Sequence, residues 1–86
     1  MSNESKLREL YPDVEFVFLR GFDDAIMGTA ISTGNTVVCY SVKKMVDSLI
    51  ESHKMTADEA HEWLDYNTLY AYFGPHSPVY FEETMI

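Results

Sequence analysis

Residues 55–73 read MTADEAHEWLDYNTLYAYF. Thr56 and Glu59 have the spacing of a capping box, in which each side chain bonds the other residue's backbone N–H. Ala60, Trp63, Leu64 and Ala71 fall on one helical stripe, with Asn67 in its middle and Tyr66, Tyr70 and Phe73 on its flanks. Gly74-Pro75 ends the pattern, since glycine takes a left-handed cap and proline cannot continue a helix. The stretch predicts one helix running to Phe73. Its inward face would hold Trp63 as core and Asn67 as a polar group bonded to a strand backbone; the alternative is that Asn67 lines a pocket with Tyr66, Tyr70 and Trp63.

Working outward, Ser41 caps a second helix on the N-terminal side. Val42, Met45, Val46, Leu49 and Ile50 repeat at i, i+3, i+4, i+7 and i+8, while Lys43, Lys44, Asp47, Ser48, Glu51 and Ser52 take the other face. His53 and Lys54 sit in the last turn, where positive charge suits the helix dipole. Only a short connection separates the two helices, which predicts a helical hairpin.

Before the hairpin, Val14–Arg20 (VEFVFLR) is dense in β-branched and aromatic residues and reads as a strand. Gly21–Asp24 is a turn. Ala25–Ile31 reads as a second strand, with Gly28 marking a bulge. Ser32-Thr33-Gly34-Asn35 is the strongest turn signal in the chain, and Thr36–Tyr40 the third strand of a meander. Val79-Tyr80-Phe81 supplies a short fourth strand. Leu7, Leu10 and Tyr11 share a face of a turn or two of helix that Pro12 ends, so residues 1–12 are either a short helix or a flexible lead. The expected fold is α+β: a single two-layer domain over residues 1–86, its antiparallel sheet in the order β-β-β-α-α-β with the helical hairpin on one face.

The 86 residues are 47% hydrophobic, enough apolar material for a core, and carry a formal net charge of −8. From Met55 onward there is no Lys or Arg, but there are Asp58, Glu59, Glu62, Asp65, Glu82 and Glu83. That balance argues against direct nucleic-acid binding, which rests on cations that neutralise phosphates. Anionic membrane surfaces are disfavoured for the same reason. The opening MSNESKLREL has no apolar signal segment, no run approaches the roughly 18 residues of a membrane span, and Cys39 has no second cysteine to bridge. The expected setting is cytoplasmic.

Several of these pieces occur together in a known context. The valine-rich strand ending in Tyr40, the Met55-Thr56-x-x-Glu59-Ala60 helix start, the pair Tyr66-Asn67, and Tyr72-x-Gly74 followed by Ser77-Pro78 stand in a set order. With Phe22-Asp23-Asp24-Ala25-Ile26 and Gly28, they make about two-thirds of the chain resemble an uncharacterised family of small proteins from tailed bacteriophages and prophages. The resemblance implies no catalytic residue. It implies a context in which small acidic proteins bind host or defence proteins, as anti-CRISPR or antirestriction factors do, and a host-cytoplasm location.

Asp58, Glu62 and Asp65 recur at helical spacing, each step roughly 5–6 Å at Cβ. Such a line of charge is either a solvated face or an imitation of a phosphate strand. Tyr66, Tyr70 and Tyr72 lie beside it, and these six residues are the candidate partner-binding set. A basic host or defence protein is the expected partner, and a homodimer through the aromatic residues is the alternative. Cys39, His53, His61 and His76 lack the paired spacing of zinc ligands, and no phosphate loop or nucleophile motif occurs. Neither a metal nor another cofactor is expected, nor enzymatic activity. Asp23 and Asp24, with His76, are the remaining set for a small-ligand or metal site.

Overall fold

The computed structural model describes residues 2–83. Helix α1 spans Asn3–Leu10, strands β1 and β2 span Ile26–Ser32 and Asn35–Ser41, helices α2 and α3 span Val42–His53 and Ala57–Leu64, and β3 is Val79–Phe81. The class is α+β, as the patterning predicts. β2 is central, antiparallel to β1 and parallel to β3. The β1–β2 hairpin closes on Thr33-Gly34, both at positive φ, as a two-residue primed turn requires. A bulge between Ile26 and Gly28 interrupts the ladder near its start.

The helices cover one face of the sheet. Leu7 of α1, Met45, Val46 and Leu49 of α2, and Ala60 and Leu64 of α3 share one buried cluster with Val38 and Tyr40 of β2. Ser41 caps α2 by accepting from the Lys44 N–H at 3.2 Å. The capping box of α3 forms in full, with Thr56 and Glu59 bonding each other's backbone N–H groups at 3.2 and 2.9 Å. Lys54, in a left-handed conformation, turns the chain between the two helices.

Three sequence expectations are corrected. Val14–Arg20 is not a strand. The segment joins neither outer edge of the sheet and is held largely through side chains instead. Phe16, Phe18 and Leu19 pack onto the core, and the Leu19 N–H donates to the buried Tyr40 hydroxyl at 2.8 Å. The sheet is therefore mixed and three-stranded, not an antiparallel set of four, and its fourth expected strand pairs parallel. The helix predicted to Phe73 is α-helical only to Leu64 and continues as a π turn, Asp65–Leu69.

Bonding from i to i+5 widens that turn. Ala60, Leu64 and Thr68, four residues apart, become the inward positions. Asn67 consequently stands outside and donates its amide to the Trp63 carbonyl at 2.9 Å instead of bonding a strand. Trp63 is 37% exposed, with its ring tilted against Phe22, so it lies at the margin of the core and not within it. Ala71 is exposed for the same reason.

Tyr40→Phe should lower stability by about 1–2 kcal/mol in denaturant unfolding, because the Leu19 N–H loses its acceptor. Burial pushes the Tyr40 phenol above its ordinary pKa, and the charges of Glu4 and Asp23 add to this against the opposing Leu19 N–H. Burial likewise raises Tyr80. The native state holds these protons after the unfolded chain releases them. Their contribution is therefore fully present below pH about 10 and is lost as pH rises above it, which denaturant midpoints up to pH about 11 will register.

Candidate interaction surface

With Ala60, Leu64 and Thr68 facing in, helical geometry turns Asp58, Glu62, Asp65 and Tyr66 outward, and all four are exposed. Glu59 is held in the capping box, so the free carboxylates of α3 are those of the predicted ladder. Among the described residues the one ion pair is Arg8–Glu4, at 3.2 Å, so no carboxylate of the ladder has a cationic partner there. The field of this face is negative and uncompensated.

The π turn and the segment after it carry the tyrosines. Tyr66 is 91% exposed, Tyr70 84% and Tyr72 80%. Isolated exposed apolar residues are ordinary, but three phenol rings this far out on one short stretch are not. Phe73 is half-exposed beside them, its N–H fixed by the Ser77 hydroxyl at 2.7 Å. The Ser77 hydroxyl in turn donates to the Gly74 carbonyl at 2.6 Å. This small turn anchors the end of the aromatic stretch.

A groove of about 480 Å³ lies alongside, lined by Met55, Glu59, Glu62, Trp63, Tyr66 and Asn67. Met55 was not a candidate from sequence; Trp63 and Asn67 were assigned to the interior by the stripe, with a pocket of Asn67, Tyr66, Tyr70 and Trp63 as the alternative, and the groove holds all of these but Tyr70. The i+3, i+4, i+7 and i+8 relations from Glu59 to Glu62, Trp63, Tyr66 and Asn67 were the available signal, since they place these residues on adjoining surface rows. The structure thus brings the three ladder carboxylates, Tyr66 and a groove of mixed polarity together on α3 and the π turn that continues it, and sets Tyr70 and Tyr72 on the exposed chain that follows.

The other candidates are not brought together. Asp23 serves α1 instead. Its carboxylate accepts from the Asn3 and Glu4 N–H groups at 3.0 and 2.8 Å, and the Asn3 amide returns a bond to the Asp23 carbonyl. Asp23 leads into β1 at Ile26, whereas Asn35, at the opposite end of the hairpin, bonds the Pro75 carbonyl next to His76. Asp23 and His76 are therefore at different ends of the sheet. Cys39 lies in β2 with its thiol pKa raised by burial, the wrong direction for a nucleophile. His53 and His61 are exposed on separate helices. Among the described residues no three His, Cys, Asp or Glu side chains cluster as a metal site, and no helix is long and apolar enough to cross a membrane.

No protein-family model matches the chain, and no curated protein or solved structure shows significant similarity to it.

Limited nitration followed by peptide mapping should modify Tyr66, Tyr70 and Tyr72 well before Tyr40 and Tyr80. Equal rates at Tyr40 and Tyr66 would contradict the exposure pattern. A chelator should leave the melting temperature unchanged, because no three His, Cys, Asp or Glu side chains cluster as metal ligands among the described residues.

Proposed function

We propose that the protein is a non-enzymatic binding protein that occludes a basic surface of another protein through the outer face of α3 and the tyrosines that follow it. The observation that carries this reading is the coincidence of three ladder carboxylates without cationic partners and three tyrosines at least 80% exposed, in a region without Lys or Arg. Tyrosine supplies large contact area at low conformational-entropy cost and recurs at binding hot spots. Its ring face also accepts Lys and Arg by cation–π attraction. Carboxylates around such rings favour a basic partner, speed encounter and reject acidic competitors.

The resemblance to small phage and prophage proteins supplies the context. In that setting the partner is a host or defence protein whose basic surface ordinarily holds nucleic acid. The protein would act as an inhibitor of the anti-CRISPR or antirestriction kind, in the host cytoplasm. Asp58, Glu62 and Asp65 stand in for successive phosphates, and Tyr66, Tyr70 and Tyr72 add the contact area that phosphates lack.

The test is capture of the partner from a bacterial host lysate by wild type and by the triple reversal Asp58→Lys, Glu62→Lys, Asp65→Lys. These side chains point outward, so circular dichroism and melting should be nearly unchanged. Wild type should retain a nucleic-acid-binding protein at low salt and release most of it as ionic strength rises, since exposed charges are screened over about 8–10 Å. The reversal should retain none. A partner held equally by both proteins would remove the acidic ladder from the interface.

A further inference from the structure

The outer edge of β1 is guarded only at its start, where the bulge between Ile26 and Gly28 lies and α1 packs beside the strand; the rest of it carries no such protection. The strand is seven residues long, IMGTAIS, without charge or proline. The opposite edge is three residues long and runs directly into Glu82 and Glu83. Among the described residues, no backbone hydrogen bond reaches β1 from outside the hairpin except the turn leading into it, and no side chain bonds its backbone. Met27 is 53% exposed and Ile31 73%.

The register fixes which groups face out. A two-residue turn closes on a hydrogen-bonded pair, here Ser32–Asn35, and bonded and non-bonded pairs alternate from there. Ala30 and Gly28 therefore bond β2, while Thr29 and Ile31 direct their N–H and C=O groups away from it.

We propose that β1 pairs with β1 of a second copy, antiparallel about a two-fold axis at Thr29, to make a continuous six-stranded sheet. A pairing centred on Thr29 brings Ile31 of each copy toward the bulge residue Met27 of the other, so the two exposed apolar side chains of each edge lie near one another across the seam. The charge distribution selects a second copy as the occupant. From Ala25 to Val42 the sequence has no Asp, Glu, Lys or Arg, so in a chain of net charge −8 two copies meet here without facing like charges. The acidic tyrosine face, by contrast, repels its own copy. The dimer leaves that face free and presents it twice.

Sedimentation equilibrium of the intact protein, from dilute to near-millimolar concentration, provides the test. The mass should rise from 9.9 kDa toward twice that value. Added salt should strengthen this association by screening the net repulsion, the reverse of the effect expected for a basic partner on α3. Thr29→Pro removes an outward N–H that β2 does not use, and Ile31→Lys sets a charged group against the apolar Met27 of the second copy. Both should stay at 9.9 kDa with unchanged circular dichroism. In wild type the Thr29 and Ile31 amides should exchange with solvent at least tenfold more slowly at high concentration than at low, a readout that needs no variant. A wild-type mass of 9.9 kDa throughout, or Thr29 and Ile31 amides whose exchange ignores concentration, overturns the proposal. A dimer that survives both substitutions also overturns it. None of these results bears on the α3 surface, which the charge reversal tests separately.

Discussion

Tyr40 is where the separate parts of this chain are tied together. Its side chain is fully buried on the central strand, between Ile26 of β1 and Tyr80 of β3 in the ladder. Its ring lies 6.4 Å from that of Tyr80, and its hydroxyl holds the Leu19 N–H of a segment that pairs with no strand. The unpaired N–H of an apolar, half-buried segment would cost about 1–3 kcal/mol, so one phenol both fills the core and satisfies the chain crossing it. The parallel pairing of β3 with β2 adds a second constraint. Parallel neighbours need a long return connection, and α2, α3, the π turn and the 70–78 segment are that return. The acidic tyrosine surface is thus carried on a connection that the topology requires.

Local chemistry was legible wherever one stretch of sequence determined it. Thr56 with Glu59, Ser41 before Val42, and Gly34 in the hairpin turn all do in the structure what their residue types prescribe, because each involves backbone groups within a few positions. Long-range choices were not legible. Val14–Arg20 has strand composition, but composition does not say whether the fold brings a segment alongside a strand edge. Asp23 looked like a turn carboxylate available to a cation. Its role, capping α1 about twenty residues earlier, depends on how the chain folds back. The orientation of Val79–Phe81 likewise follows from the route of the crossover and not from its own three residues.

The surface was legible in part. The ladder of Asp58, Glu62 and Asp65 is helical spacing alone and falls where expected. The π turn was hidden, since a strict α-helical stripe assigns Asn67 and Trp63 to the interior. Moving the inward position to Thr68 exposes Asn67, opens Trp63 to a groove and gathers the aromatic contact area beside the carboxylates. Wide turns of this kind re-aim side chains at the expense of regular bonding and recur at functional sites. Here the side chains moved to the surface include an indole margin, of the sort that anchors protein interfaces.

The account rests on the outer face of α3 and its extension being where a partner sits. The most direct measurement is an amide chemical-shift footprint of the labelled protein with its captured partner. The account predicts perturbations concentrated between Ala57 and Phe73, strongest near Tyr66 and Tyr70, with β1 and the cleft lined by Phe16, Phe18 and Arg20 unchanged. A footprint centred on that cleft, with residues 57–73 silent, would contradict it.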